Sequence, residues 1–253
     1  MPEQLWITAL LNHWFAGPAN AVLGLLGHPS KYPSAPINNA FAMELLVFGL
    51  LIAFFLLVRA SLSVDRPGAL QHVVEGAEGF LNNQSEEIIG HHSEVFTPFL
   101  MALGLFILLD NLIGLIPGFE SPTAAPSVTL GCAIVAFIYY NVHGIRHQGI
   151  GGYLMHFFGP PMPGMSIFIR IPLALLLLPI EIASHLARIM SLTIRLFANM
   201  FAGDMVTLVF FSLVPIGVPV LFLAMHLGVS LLQTYIFVLM TTIYLAGAVA
   251  EEH

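Results

Sequence analysis

One long apolar run, Ile167 to Val214, holds an arginine deep inside it. Arg195 lies 28 residues after Ile167 and 19 before Val214, too far from either end for its side chain to reach water by snorkelling. A guanidinium at mid-membrane costs between about 2.5 and more than 10 kcal/mol, depending on how far water relieves it, so it needs either a fixed carboxylate partner or a wet path. An intramembrane ionisable group of this kind points by default to an ion path.

The rest of the chain agrees that the solvent is a bilayer. Of 253 residues, 58% are hydrophobic and 8% are Asp, Glu, Lys or Arg, whereas an ordinary soluble domain carries roughly a quarter charged. Apolar runs of about 18 residues or more suffice to cross roughly 30 Å of hydrocarbon. The net charge is −7, and the seven basic residues are scattered, which excludes a nucleic-acid footprint. The one cysteine, Cys132, lies in an apolar run and reads as a packing residue, so neither an internal disulfide nor a cysteine metal site is expected. No nucleotide-binding motif, metal site or cofactor site is expected.

The first strong run is Phe41 to Val58, interrupted by Glu44 and closed by Arg59 and Arg66. A polar, helix-compatible stretch follows from Pro67 to His92 and belongs outside the membrane core; its His72, His91 and His92 beside Glu75, Glu78, Glu86 and Glu87 suit a solvated surface better than a metal site. Apolar character returns over Val95 to Pro117 and Ser127 to Tyr140, joined by Gly-Phe-Glu-Ser-Pro-Thr as a membrane hairpin. A Gly- and Pro-rich polar loop is expected from Asn141 to Met165. The last third is the long run to Val214, a turn at Pro215 to Pro219, and a second run from Val220 to Ala250. As continuous helices these extend about 70 Å and about 45 Å, more than the roughly 39 Å that a helix tilted by 40° needs, so they lie oblique, bend or protrude. Pro172 and Pro179 are the candidate bends.

The expected fold is an all-α membrane protein: five membrane-crossing helices plus interfacial helices, ending in a long, steeply tilted helical hairpin. Its parts are an N-terminal interfacial or periplasmic segment 1–39, a first crossing 40–60, a cytoplasmic polar segment 61–94, a transmembrane hairpin 95–141, a cytoplasmic loop 142–165 and the long hairpin 166–253. Met1 to Ala16 lacks the basic n-region and clear cleavage site of a signal peptide, and its Leu5, Trp6, Leu10, Trp14 and Phe15 suit a short helix lying at the interface. Arg59, Arg66, Arg146 and Arg170 fall on one side and Lys31 on the other, which by the positive-inside rule places the N-terminus outside and Glu251-Glu252-His253 in the cytoplasm.

At about 100° per residue, Glu181, Arg188 and Arg195 share one helical stripe, with Ser184, His185, Ser191 and Asn199 close to it. Asp204, nine residues beyond Arg195, falls on the opposite face, so Glu181 and Asp204 flank the arginine toward opposite ends and sides. This layout suits two offset polar pathways separated by a fixed positive charge. In the last helix His226 and Gln233 are seven residues apart, on one face. Counting back from the turn sets Asp204 and His226 at similar depth, and brings Gln233 toward Arg195, where its carbonyl can accept a hydrogen bond without neutralising the charge. Asp110 is buried by position, either lining a vestibule or capping or pairing within its own helix; Glu44 and Glu120 read as vestibule or interface residues.

Ser-Leu-Thr-Ile-Arg-Leu-Phe-Ala-Asn-Met-Phe-Ala-Gly at 191–203 resembles the signature of subunit a, the membrane stator subunit of F-type ATP synthases. Asn111-Leu-Ile-Gly-Leu-Ile-Pro117, the His226 to Gln233 spacing with Leu-Gln-Thr-Tyr-Ile-Phe, and the terminal Glu-Glu-His extend the resemblance from about residue 40 to the end. It implies a noncatalytic proton-translocating subunit of the Fo sector in a bacterial cell inner membrane. The implied partners are a rotor ring of c subunits, each with one essential carboxylate, the b-subunit peripheral stalk and the remainder of the ATP synthase. Arg195 then matches the essential arginine, which holds each passing carboxylate in its charged form and blocks a leak between two half-channels. Asp204, His226 and Gln233 match outer half-channel positions; Glu181, Ser191 and Asn199 would line the cytoplasmic route or the ring-facing surface. Asp204 departs from the glutamate or histidine common in that family, and loses a methylene of reach. A proton-coupled secondary transporter holding an anionic solute is the alternative; the repeat symmetry such carriers show is not evident.

Overall fold

The computed structural model describes residues 4–25, 27, 29–63, 67–90, 93–116, 118–156, 167–213 and 217–249. Arg66, His91, His92, Pro117, Pro215 and the terminal Glu251, Glu252 and His253 lie outside them, as do the side chains of Arg170 and Pro172. Among the described residues seven α-helices follow one another: α1 Trp6–Leu25, α2 Asn39–Ser61, α3 Ala69–Ile89, α4 Thr97–Ile113, α5 Pro126–His156, α6 Ile167–Leu213 and α7 Val218–Val249. Short 3-10 turns at Ser93–Val95 and Pro122–Ala124 link α3 to α4 and α4 to α5.

α2, α5 up to Gly149, α6 from Leu175 and α7 are each long and apolar enough to cross a bilayer. α4 is apolar too, and its 17 residues give about 25 Å of rise, the short end of the spanning range. These five helices are the expected crossings, and the protein is an all-α, multi-pass membrane protein.

The starts of these helices follow from local chemistry. The Asn38 carboxamide accepts from the Phe41 amide at 2.8 Å and caps α2, satisfying one of the amides that a helix start leaves unpaired. Pro98 and Pro126 stand in the first turns of α4 and α5, where no ladder bond is lost. Gly217, at a φ of 90°, turns the chain just before α7. α6 runs through Pro172 and Pro179 as one helix of 47 residues, about 70 Å long.

Two elements differ from the sequence reading. The N-terminal helix is longer than Met1 to Ala16 suggests, because the apolar pattern after Pro18 carries it to Leu25. The expected polar loop from Asn141 is helical as far as His156: α5 continues past the apolar span and breaks its geometry only at Gly149, with φ 75° and ψ 160°. Its polar residues are held by bonds that a pattern cannot show. Tyr153 donates to Asn141 at 2.5 Å across the break, and Gln148 reaches the Ala248 carbonyl of α7 at 3.2 Å. Burial pushes the Tyr153 phenol up to about 12, so it stays a donor at neutral pH.

The main core lies where α4, α5, α6 and α7 meet, with Ile107, Ala136, Leu196, Met200 and Phe237 interlocked around the free, buried Cys132. Val47 and Leu51 attach α2 to Ile113 of α4. α3 stays polar on its outer face and docks against α4 and α7, through Thr97 to Asn82 at 3.0 Å and Gln84 to the Tyr235 hydroxyl at 2.8 Å. α6 is the least covered of the four long spans, backed by α5 and α7 and open along the opposite side.

α5 packs tightly at Gly144: a Cβ there would lie 2.6 Å from the Tyr153 ring and 3.0 Å from the Ala248 carbonyl of α7. Gly144→Leu is therefore expected to destabilise the chain by about 1–3 kcal/mol through overpacking. Denaturation of the purified protein in detergent checks this, and an unchanged midpoint would refute the close approach.

Candidate functional site

The middle of α6 sets the site. Arg195 stands 20 residues from the start and 18 from the end of the segment Leu175–Leu213 that is able to cross the membrane. Leu192, Leu196 and Met200 form the buried stripe that fixes α6 against the core, and Arg195 lies about 100° to one side of Leu196. Its guanidinium donates to the Ser191 hydroxyl one turn earlier at 3.2 Å. Among the described residues no carboxylate pairs with it.

This bond replaces the one expected from Gln233. Gln233 is buried on α7, but no hydrogen bond joins it to Arg195 among the described residues. The register explains why. Ser230 donates to the Met200 sulfur at 3.8 Å, which sets Arg195 level with about residue 235 and leaves Gln233 roughly half a turn along α7.

Toward the C-terminal end of α6, the hairpin brings Asp204 and His226 together, with Oδ1 and Nδ1 3.6 Å apart. Counting from the turn anticipates this contact. Gly203 makes room for it, since a Cβ at that position would come within 3.0 Å of the imidazole. Among the described residues, neither the buried His226 Nε2 nor the buried Thr207 hydroxyl has a hydrogen-bond partner. Asn199, Gly203 and His226 line a cavity of about 160 Å³. Asn199 therefore stands at the Asp204 end of the helix, not with Glu181, from which 18 residues separate it by about 27 Å along the axis.

Toward the other end, Glu181 meets His185 at 3.4 Å across one turn. His185 also contacts the Tyr140 hydroxyl at 3.2 Å, and the Arg188 guanidinium lies 5.1 Å from the centre of the Tyr244 ring, a cation–π arrangement. Glu181, His185, Arg188, Tyr140 and Tyr153 line a second cavity, of about 240 Å³. The seven-residue stripe anticipates the α6 members of this group. Tyr140 and Tyr153 carry no comparable signal, since they arrive from α5 through tertiary packing.

A buried polar network joins α4, the Pro122–Ala124 turn and α7. Asn111 accepts from Thr123 at 2.6 Å and donates to both the Thr234 hydroxyl and the Ser230 carbonyl at 3.3 Å. The sequence reading used Asn111 only as part of a motif; the network that makes it central is non-local. Asp110, its neighbour, is fully buried, and among the described residues neither carboxylate oxygen has a hydrogen-bond partner, so of its two expected roles the capping or pairing within α4 is not seen there. Glu44 is half-buried on α2, and Glu120 accepts from Asn39 at 3.3 Å.

The description of known families as ATP synthase A chain matches residues 41–246. The chain belongs to that family. It is 57% identical to an ATP synthase subunit a of Koribacter versatilis over 253 residues, the whole of both chains. It is 49% identical to one of Solibacter usitatus over 244 residues, 96% of this chain and 100% of the relative. A third, from Sulfurihydrogenibium, is 41% identical over 189 residues, 74% of this chain and 86% of the relative.

Two adjacent substitutions separate the connected from the unconnected polar residue. Asn111→Leu leaves Thr123 and the α7 groups without their partner and is expected to cost about 1–3 kcal/mol. Asp110→Leu removes no bond and is expected to stay within about 1 kcal/mol of the parent, or to exceed it. Paired denaturation curves in detergent decide this, and a larger loss at Asp110 than at Asn111 would contradict the network.

Proposed function

We infer that this chain is the ion-path subunit of an ATP synthase Fo sector, in which protons pass through two offset half-channels to a rotor ring and drive ATP synthesis elsewhere in the complex. One observation carries the reading: Arg195 is a mid-membrane cation with no carboxylate partner among the described residues, set along α6 between a cavity lined by Glu181 and one lined by His226. The family of its relatives, each named ATP synthase subunit a, supports it.

The chemistry follows from the layout. Arg195 attracts the carboxylate of each passing c subunit in charged form and, being permanently charged, repels a proton that would cross directly from one cavity to the other. Each elementary charge crossing 100 mV releases about 2.3 kcal/mol, so a leak past the arginine would dissipate what the rotor is meant to use. Ser191 steadies the guanidinium while leaving its charge unneutralised. Asp204 and His226, with Asn199 and Gln233, form the outer half-channel. Glu181, with His185 and Arg188, lines the cytoplasmic one. The open side of α6 faces the ring, the b-subunit stalk and the remaining subunits complete the complex, and the chain itself performs no covalent chemistry. With the N-terminus outside a bacterial inner membrane, the Asp204 end lies toward the exterior.

Arg195→Ala is expected to abolish ATP-driven proton pumping and ATP synthesis in membrane vesicles while the complex still assembles, and coupled transport at the parental rate would refute the reading. Asp204→Asn and His226→Ala are expected to slow pumping less completely. A parental rate in the double variant would remove the pair from the path.

A further inference from the structure

Asp204 lies nine residues short of Leu213, where the spanning segment of α6 ends, which is about 14 Å along the axis. Proton transfer needs donor and acceptor within about 2.6–3.2 Å, directly or through one water, so a carboxylate at that depth needs groups that lead to it. The Pro122–Ala124 turn packs on α6, and the two residues ahead of it both act on the Asp204 carboxylate: Ser121 as a nearby hydroxyl donor, Glu120 through its charge.

Both residues are held in place from other helices. Asn39, in the first turn of α2, donates to the Glu120 carboxylate at 3.3 Å. The Phe119 ring meets Trp6 of α1 edge-on, with 6.5 Å between centres. Ser121 folds back over the end of α4 so closely that a Cβ at Gly114 would overlap its hydroxyl. Thr123, bonded to Asn111, anchors the turn on its other side.

The two residues differ in their access to water. Glu120 is exposed, whereas Ser121 is 3% exposed and its hydroxyl forms no hydrogen bond among the described residues. A buried polar group left so costs about 1–3 kcal/mol, and the group this hydroxyl approaches without a closed bond is the Asp204 carboxylate. Asp204 in turn faces His226 of α7 at 3.6 Å. The titratable groups that meet here are therefore Glu120, Asp204 and His226, while α1 and α2 contribute Trp6 and Asn39, which do not titrate. Asp110 of α4 feels the charge of Glu44 of α2.

We propose, building on the ion path inferred above, that Glu120 and Ser121 form its outer mouth: Glu120 gathers protons from outside water and the Ser121 hydroxyl passes them to Asp204. In that step the Ser121 proton moves to the Asp204 carboxylate as a proton from a water at Glu120 moves to the Ser121 oxygen, which leaves the hydroxyl as it was. Glu120 acts through its field, since a carboxylate at a narrow mouth raises the local concentration of cations and their rate of arrival.

ATP synthesis by the assembled complex in proteoliposomes tests this, with the lumen on the outer side of the chain and the total driving force held constant as the lumen pH is changed. The subunit content of each purified variant shows that it assembles. Glu120→Gln is expected to be about tenfold slower than the parent with an alkaline lumen, where protons are scarce, and close to parental with an acidic one. A parental rate at both, or the same loss at both, overturns the proposal. Ser121→Ala is expected to be several-fold slower at every lumen pH and to add no further loss to Asp204→Asn, because two steps in series on one route are not independent. A parental rate in Ser121→Ala, or losses that add in the double variant, overturns it as well. A parental rate in the Asp204→Asn, His226→Ala double variant would instead withdraw the outer half-channel, so failure of the mouth and failure of the path are told apart.

Discussion

A fixed charge in hydrocarbon must be answered somewhere, and in this protein the chain leaves Arg195 unanswered by any carboxylate among its described residues. The two acids on α6 are engaged elsewhere, Glu181 with His185 and Asp204 with His226. Helical geometry enforces the separation. Glu181 is fourteen residues away, about 21 Å along the axis, and Asp204 is nine residues away on another face. The rest of the structure keeps the guanidinium in place without neutralising it: α5 and α7 grip the Leu192, Leu196 and Met200 stripe, and α4 locks behind them through Cys132, Ile107 and Phe237.

That grip also creates the two cavities. α7 is antiparallel to α6 and meets it closely at Gly203 and His226, so one cavity forms where the hairpin narrows. α5 continues past its apolar span beyond the break at Gly149, and Gln148 before the break and Tyr153 after it line the other cavity toward the opposite end of α6. Gly144, where α5 and α7 nearly touch, sits beside the second cavity and couples its shape to the packing of the helices.

Much of this was legible in the chain because it is written in periodicities. The apolar runs predict the crossings, the seven-residue stripe predicts that Glu181, Arg188 and Arg195 share a face, and counting from the turn predicts the Asp204–His226 contact. These inferences need only helix geometry and one reversal of direction. What escaped needed a third or fourth helix. The Tyr140–His185 contact and the Asn111–Thr123–Thr234 network join residues far apart in sequence, and no local pattern specifies which helix faces which. The polar stretch after Asn141 misled for a related reason, since a helix can continue outside the apolar span when tertiary bonds satisfy its side chains. Gln233 failed to meet Arg195 because an offset of two residues, invisible to a count from an approximate turn, is about 3 Å along the axis.

The Ser191 bond is informative in light of that failure. A hydroxyl offers the guanidinium an acceptor but no charge, so it orients the group at little electrostatic cost to an incoming anion. A carboxylate in the same place would form the stronger pair and remove the attraction that a passing partner would feel. Bonding within one helix has a second advantage: the donor and acceptor move together, so tilting or sliding of α6 against α7 leaves the arginine pointing the same way. A bond to Gln233 would tie its orientation to the hairpin register. The direction of the Arg195 guanidinium is therefore set within α6, while its position and the two cavities depend on the neighbouring helices.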